Sequence, residues 1–169
     1  ALYRLSFRLS EKLEDATGKV TSLELMSDVY RRLGKYDMAI DCLFQSLDLE
    51  SSLSYAADVA KRVPDLMTGS GDPFELQRTM AVRSHAMAVN RGCKLATIAA
   101  LYADLGEQQQ AEGYANEAER LFASLGHLYG TADILNLRAA WDLREGRWQI
   151  ARQRLERSRD LVRERTIEQ

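Results

Sequence analysis

The sequence predicts an all-α fold, a right-handed stack of antiparallel helix pairs with no sheet, and three observations predict it. One skeleton recurs in residues 23–51, 95–123 and 135–163: an apolar helix, a glycine, then a second helix with small residues at matching offsets. The glycines are Gly34, Gly106 and Gly146, followed five residues later by Ala39, Ala111 and Ala151, and seven further on by Ser46, Ala118 and Ser158. A fixed internal period of this length means a stacked helical array, an α-solenoid, rather than one globular core. The apolar residues recur at three- and four-residue steps, the helical period, without the alternation of strands. The 2 prolines, Pro64 and Pro73, both flank one glycine-rich break and leave the rest of the chain open to long helices.

Nine helices follow in order. Residues 2–16 carry Leu2, Leu5, Leu9 and Leu13 on one stripe, with Gly18 at the end. This helix has no partner before it, as the second half of a truncated repeat would not, so the chain reads as a piece of a longer array. Residues 20–33 place Leu23, Met26, Tyr30 and Leu33 on one face; Gly34 permits the reversal, and 36–50 return with Ala39, Ile40, Leu43 and Leu47 inward. Residues 54–63 form a helix broken by Pro64 and the run Met67 to Pro73. Asp72 caps the helix 74–91, in which Ala81, His85 and Ala88 repeat the spacing of Ala39, Leu43 and Ser46. The pairs 93–105 with 108–125 and 129–145 with 148–165 complete the set. The units are thus a half repeat at 1–18, a repeat at 19–51, a degenerate repeat at 52–92 with its loop at 64–73, and repeats at 93–126 and 127–169. The alanines explain the pairing: Ala111 and Ala118 lie two turns apart on one face and let the partner helix approach the backbone. Tyr30 and Tyr102, each four residues before a glycine, then fill the gaps between neighbouring pairs.

Composition narrows the function. Hydrophobic residues at 46% supply a continuous core, and charged residues at 28% with a net charge of −2 argue against a nucleic-acid binder driven by bulk charge. Cys42 and Cys93 stand apart within helical patterns, so no disulfide framework follows and a reducing, cytoplasmic compartment is expected. No apolar run approaches the roughly 20 residues of a membrane span. Catalysis finds no support: His85 occupies a packing position, His127 sits in a turn beside Gly126, and neither has a nucleophile or a second ligand at a motif spacing. Gly69-Ser70-Gly71 lacks the Lys and Ser/Thr of a phosphate loop. The expectation is a non-enzyme without cofactor or metal.

These residues resemble the tetratricopeptide repeat family over 21–164, with 52–91 as the weakest part. Leu23, Met26, Ser27 and Tyr30 match the family's first-helix positions, as do Leu95, Ile98, Ala99 and Tyr102; the turn glycine and following aromatic are Gly34 and Tyr36, and again Gly146 and Trp148. The unit at 121–161 looks like the roughly 40-residue variety found in polarity scaffolds and in sensor regions of bacterial regulatory ATPases. The last unit departs from the pattern with Arg138 and Asp142 where Leu and Tyr are usual, which suits an end unit or one facing another domain.

The resemblance implies a concave groove lined by first helices, at Thr21, Glu24, Asp28, Arg31, Arg32, Ala96, Thr97, Ala100, Asp104, Asn136 and Ala140, which would take an extended or helical peptide. The expected contact residues are Glu24, Asp28, Arg31, Arg32, Thr97, Ala100, Asp104 and Asn136. The carboxylate clamp of some relatives is not expected, because Glu24 and Asp28 would repel a terminal carboxylate. The arginine-rich last helix, with Arg152, Arg154, Arg157 and Arg159 among Glu156, Asp160 and Glu164, reads as a solvated or interdomain helix with surface ion pairs. The function expected is a protein-interaction scaffold with a peptide or protein partner; the alternative is a regulatory sensor region of a larger signalling ATPase or transcription regulator.

Overall fold

The computed structural model describes residues 2–52 and 73–167, and among these it holds seven helices and no strand. They are α1 (Leu2–Lys12), α2 (Ala16–Arg32), α3 (Tyr36–Ser52), α4 (Pro73–Asp104), α5 (Gln108–Ser124), α6 (Leu128–Arg144) and α7 (Trp148–Ile167). The expected helix at 54–63 and loop at 64–73 lie outside the described residues, apart from Pro73, which opens α4 at the position where proline's fixed φ suits a first turn. The chain divides into two compact units, 1–85 and 86–169, each taken here by itself.

One turn design recurs at four of the described helix reversals. Gly34, Gly106, Gly126 and Gly146 have φ of 69°, 83°, 61° and 74°, the left-handed region that L side chains avoid. The residue after each glycine donates its N–H to the carbonyl five residues back: Lys35 to Tyr30 at 2.9 Å, Glu107 to Tyr102 at 2.9 Å, His127 to Phe122 at 2.9 Å and Arg147 to Asp142 at 2.8 Å. The glycine N–H itself reaches back three residues, which completes the Schellman closure. That same following residue then accepts the first hydrogen bond of the next helix, at 3.1 Å from Ala39, 3.0 Å from Ala111 and 3.0 Å from Ala151. The spacing of five from glycine to alanine therefore has a cause: the alanine is the first residue past the turn that faces back onto the preceding helix. Ala39, Ala111 and Ala151 are fully buried, and Ser46, Ala118 and Ser158 are buried further along.

In the first unit α1, α2 and α3 pack in sequence around Val20, Leu23, Ile40, Leu43 and Leu47. Ser6 and Ser22 meet at 3.0 Å between α1 and α2, and small residues are what allow that approach. The expected first boundary is wrong. Residue 16 begins α2 rather than ending α1, and Gly18 lies in the first turn of α2, where its N–H meets the capping Asp15 carboxylate at 2.9 Å. The reversal is made by Glu14 at φ 52°, with Asp15 N–H on Ser10 O at 2.8 Å. This is the Schellman turn without its glycine. Leu33, expected on the inward stripe, is the exposed cap of α2; Leu2, Leu5 and Leu9 are exposed on α1, and Leu13 is exposed in the turn after it.

The second correction concerns the expected break between 91 and 93. Residues 73–104 form one helix of 32 residues. Gly92 is buried inside it, and its lack of a side chain serves packing: a Cβ there would stand 2.5 Å from the Phe122 ring. A glycine costs a helix interior only about 1 kcal/mol, too little to end one. Ala81 and His85 are exposed, so they do not repeat the packing role of Ala39 and Leu43; Ala88 is half-buried.

In the second unit Leu95, Ile98, Leu101, Phe122, Ile134 and Trp141 form the core. Tyr102 stacks on Tyr114 with ring centroids 5.5 Å apart and planes 4° from parallel, joining α4 to α5 within one pair. His127 caps α6, its Nδ1 accepting the Gly130 N–H at 2.9 Å.

Candidate interaction surface

In the first unit, three of the expected contact residues form one closed cluster on α2. Asp28 accepts from Arg31 at 2.7 Å and from Arg32 at 2.8 Å. The Arg31 hydrogen bond, with help from Arg32, holds the Asp28 carboxyl below its ordinary range against the opposing effect of burial. Neither arginine is an idle positive charge, and both keep exposed N–H donors beyond the one spent on Asp28. Glu24 is half-buried on the same helix, one turn before Asp28.

In the second unit one ion pair ties α4 to α6. Arg144 donates to Asp104 at 2.9 Å, 40 residues apart in the chain. Further back along α4 the Asp133 carboxylate of α6 acts on the Cys93 thiol, adding to the partial burial that pushes it up. Residues 93 and 133, like 104 and 144, differ by 40, so the two helices run in the same direction. Thr97, Ala100 and Asp104 lie on α4 and Asn136 and Ala140 on α6. Ala140 and Asn136 are exposed and Ala100 is half-buried, so the backbone is open to close approach. Thr97 spends its hydroxyl on the Cys93 carbonyl at 2.9 Å, which leaves its methyl and oxygen lone pairs outward. Asp104 is tied to Arg144, a polar edge to this face.

Arg138 and Asp142, which break the repeat pattern, are turned toward neighbouring segments of their own unit. Arg138, with its side chain 11% exposed, reaches α5, donating to Glu119 at 2.7 Å and to Asn116 at 2.5 Å, with Glu112 at 3.4 Å. Asp142 is fully buried and reaches α7: Arg147 donates to its Oδ1 at 2.8 Å and Arg154 to its Oδ2 at 2.7 Å. Arg147 also pairs with Glu145. Arg154, expected on a solvated outer face, is thus half of the cover over a buried carboxylate. Removing either partner of such a pair strands the other charge.

The sequence reading missed one feature. Leu143 at the end of α6 and Trp148 and Leu155 on α7 line an open pocket of about 310 Å³, edged by Arg152, Glu156 and Arg159. Trp148 is 67% exposed. The signal was present as two large apolar residues seven apart on a helix otherwise read as polar. Among the described residues no helix is long and apolar enough to cross a membrane, and no group of three His, Cys, Asp or Glu side chains could hold a metal ion.

Neither a protein-family model nor a curated protein matches this chain.

Proposed function

We propose that the chain is a non-catalytic scaffold of the tetratricopeptide type that holds a peptide or protein segment along the first helices of its pairs. The observation that carries this reading is the Asp104–Arg144 ion pair at 2.9 Å, which ties α4 to α6, two helices that also carry the accessible small residues Ala100 and Ala140 and the polar Thr97 and Asn136. Small residues let a partner backbone come close, and polar groups at the border fix its direction. In the first unit, taken alone, Asp28, Arg31 and Arg32 form a polar cluster on α2, with Glu24 one turn before it.

The reading is tested by capture of proteins from an extract on immobilised chain, scored by mass spectrometry against two variants. Ala140→Arg fills the face with a long charged side chain, and Gln153→Arg places the same side chain on the exposed outer surface of α7. Proteins retained by the wild type and by Gln153→Arg but lost with Ala140→Arg support the proposal. Equal retention by all three, with unchanged melting temperatures, overturns it.

A further inference from the structure

We propose that α7 is a second docking surface, selective for an amphipathic helix that carries acidic residues beside its apolar stripe. The inference stands apart from the face on α4 and α6. Trp148 and Leu155 lie seven residues apart on α7, and Arg152 and Arg159 lie seven apart in a parallel row next to them. A seven-residue interval is two helical turns, so each pair marks a straight row along one side of the helix. The inner side of α7 is already occupied: Ala151 and Ser158, also seven apart, are buried against α6, and the Ser158 hydroxyl donates to the Ala132 carbonyl at 3.2 Å. The row of Trp148 and Leu155, 67% and 43% exposed, is adjacent to that seam and continues into the pocket that Leu143 closes at one end. In the heptad notation Ala151 and Ser158 are d positions spent on α6, and Trp148 and Leu155 at a with Arg152 and Arg159 at e form the neighbouring exposed face, an apolar row flanked by a basic one.

The charges choose the occupant. Among the described residues Arg152 pairs with Glu156 at 2.8 Å and Arg159 with Asp160 at 2.9 Å, all four side chains exposed on one helix. Pairs of this kind contribute little and are easily exchanged for a better acceptor. A second copy of α7 is disfavoured: antiparallel pairing sets e positions against e positions, arginine on arginine, and parallel pairing sets them against the g position of Arg154. The exposed leucine helix α1 of another copy fares no better, since its flank carries Arg4, Arg8 and Lys12. A helix with leucine at its own a and d positions and glutamate at e and g meets both rows at once.

The test uses the full chain and three synthetic helical peptides of 21 residues: one with Leu at a and d and Glu at e and g, one identical but with Lys at e and g, and one with Ser at a and d and Glu at e and g. Binding is read by fluorescence anisotropy of labelled peptide. The proposal expects the Leu/Glu peptide to bind at least about 10-fold more tightly than either of the others, the order of one lost contact group. It also expects that preference to reverse toward the Lys peptide in Arg152→Glu/Arg159→Glu. Trp148→Ala must weaken the Leu/Glu peptide by about 10-fold or more with an unchanged melting temperature, since its ring is exposed. Equal binding of the Glu and Lys peptides, or full binding by Trp148→Ala, overturns the proposal. So does a concentration-dependent dimer in sedimentation that Trp148→Ala dissolves, which would give the surface to a second copy. Loss of the Leu/Glu peptide with Ala140→Arg but not with Trp148→Ala would assign the binding to the α4 and α6 face instead.

Discussion

The ring of Phe122 fills the space that a side chain at Gly130 would need: a Cβ there would stand 2.4 Å from the ring. Gly92 meets the same ring from α4, at 2.5 Å, so one phenyl group packs against bare backbone on two helices. Gly130→Ala and Gly92→Ala are each expected to destabilise by about 1–3 kcal/mol, because overpacking outweighs the better helix propensity of alanine. Gly113→Ala, in the interior of α5 with nothing within 4 Å of its added Cβ, is expected to stabilise by roughly 0.5–1 kcal/mol. Urea titration of the three variants checks the opposite signs, and one shared sign would show that the ring is misplaced.

Asp142 is the most exacting polar residue of the second unit. Asp142→Ala leaves Arg147 and Arg154 facing an apolar gap, and Arg154→Ala leaves the buried carboxylate with half its cover. Each is expected to cost about 3–5 kcal/mol, the range for breaking a buried pair. Arg152→Ala, which loses only an exposed contact to Glu156, is expected to change stability by less than about 1 kcal/mol. Chemical denaturation with a double-mutant cycle over Asp142 and Arg154 should return a coupling well above that of Arg152 and Glu156.

Glu14 is a site for a stabilising change. It takes φ 52° in a turn that four other places in the chain make with glycine. A left-handed residue other than glycine costs about 1–2 kcal/mol, and the freer unfolded chain of a glycine gives part of that back. Glu14→Gly is therefore expected to stabilise by up to about 1 kcal/mol, and Gly34→Ala to destabilise by about as much, measured by thermal melting.

The register of α4 on α6 can be read through Cys93. Burial, and secondarily the Asp133 carboxylate, raises its thiol above the ordinary value. At a given pH near neutrality it therefore holds less thiolate than a free cysteine and should alkylate more slowly, the rate rising as the pH climbs through the raised value. Asp133→Asn removes the contribution of the carboxylate, lowers the thiol toward its ordinary range and should speed alkylation at fixed pH. Asp133→Asn without effect on the alkylation profile would place α6 in another register.

The turns and their alanines were legible in the sequence because the design is local: glycine, cap and first inward residue span six positions. Boundaries failed where one residue type serves two purposes. Gly92 looks like a stop but makes room for Phe122, which is thirty positions away in the chain and invisible to a local reading. Glu14 carries no turn signal at all, so the first reversal was placed at Gly18. Arg138 and Asp142 were visible as departures from the pattern, yet their partners follow from the packing of α5 and α7 against α6. Arg154 was read as solvated for the same reason. The pocket on α7 escaped because its arginines dominated the reading of that helix.

Arg138 and Asp142 have a consequence for how the chain finds its own pairings. Hairpins written with one code of glycine and small residues are interchangeable to a folding chain, and a helix that docks on the wrong neighbour would bury nearly the same apolar area. The two charges on α6 remove that ambiguity. Asp142 is covered by Arg154 of α7 and Arg147 of the turn before it, and Arg138 by acceptors spaced along α5, so each side of α6 favours the companion that brings those groups. A one-turn slip of α7 carries Arg154 away from Asp142 and is rejected by the same charge. Among look-alike segments, the oddities act as serial numbers.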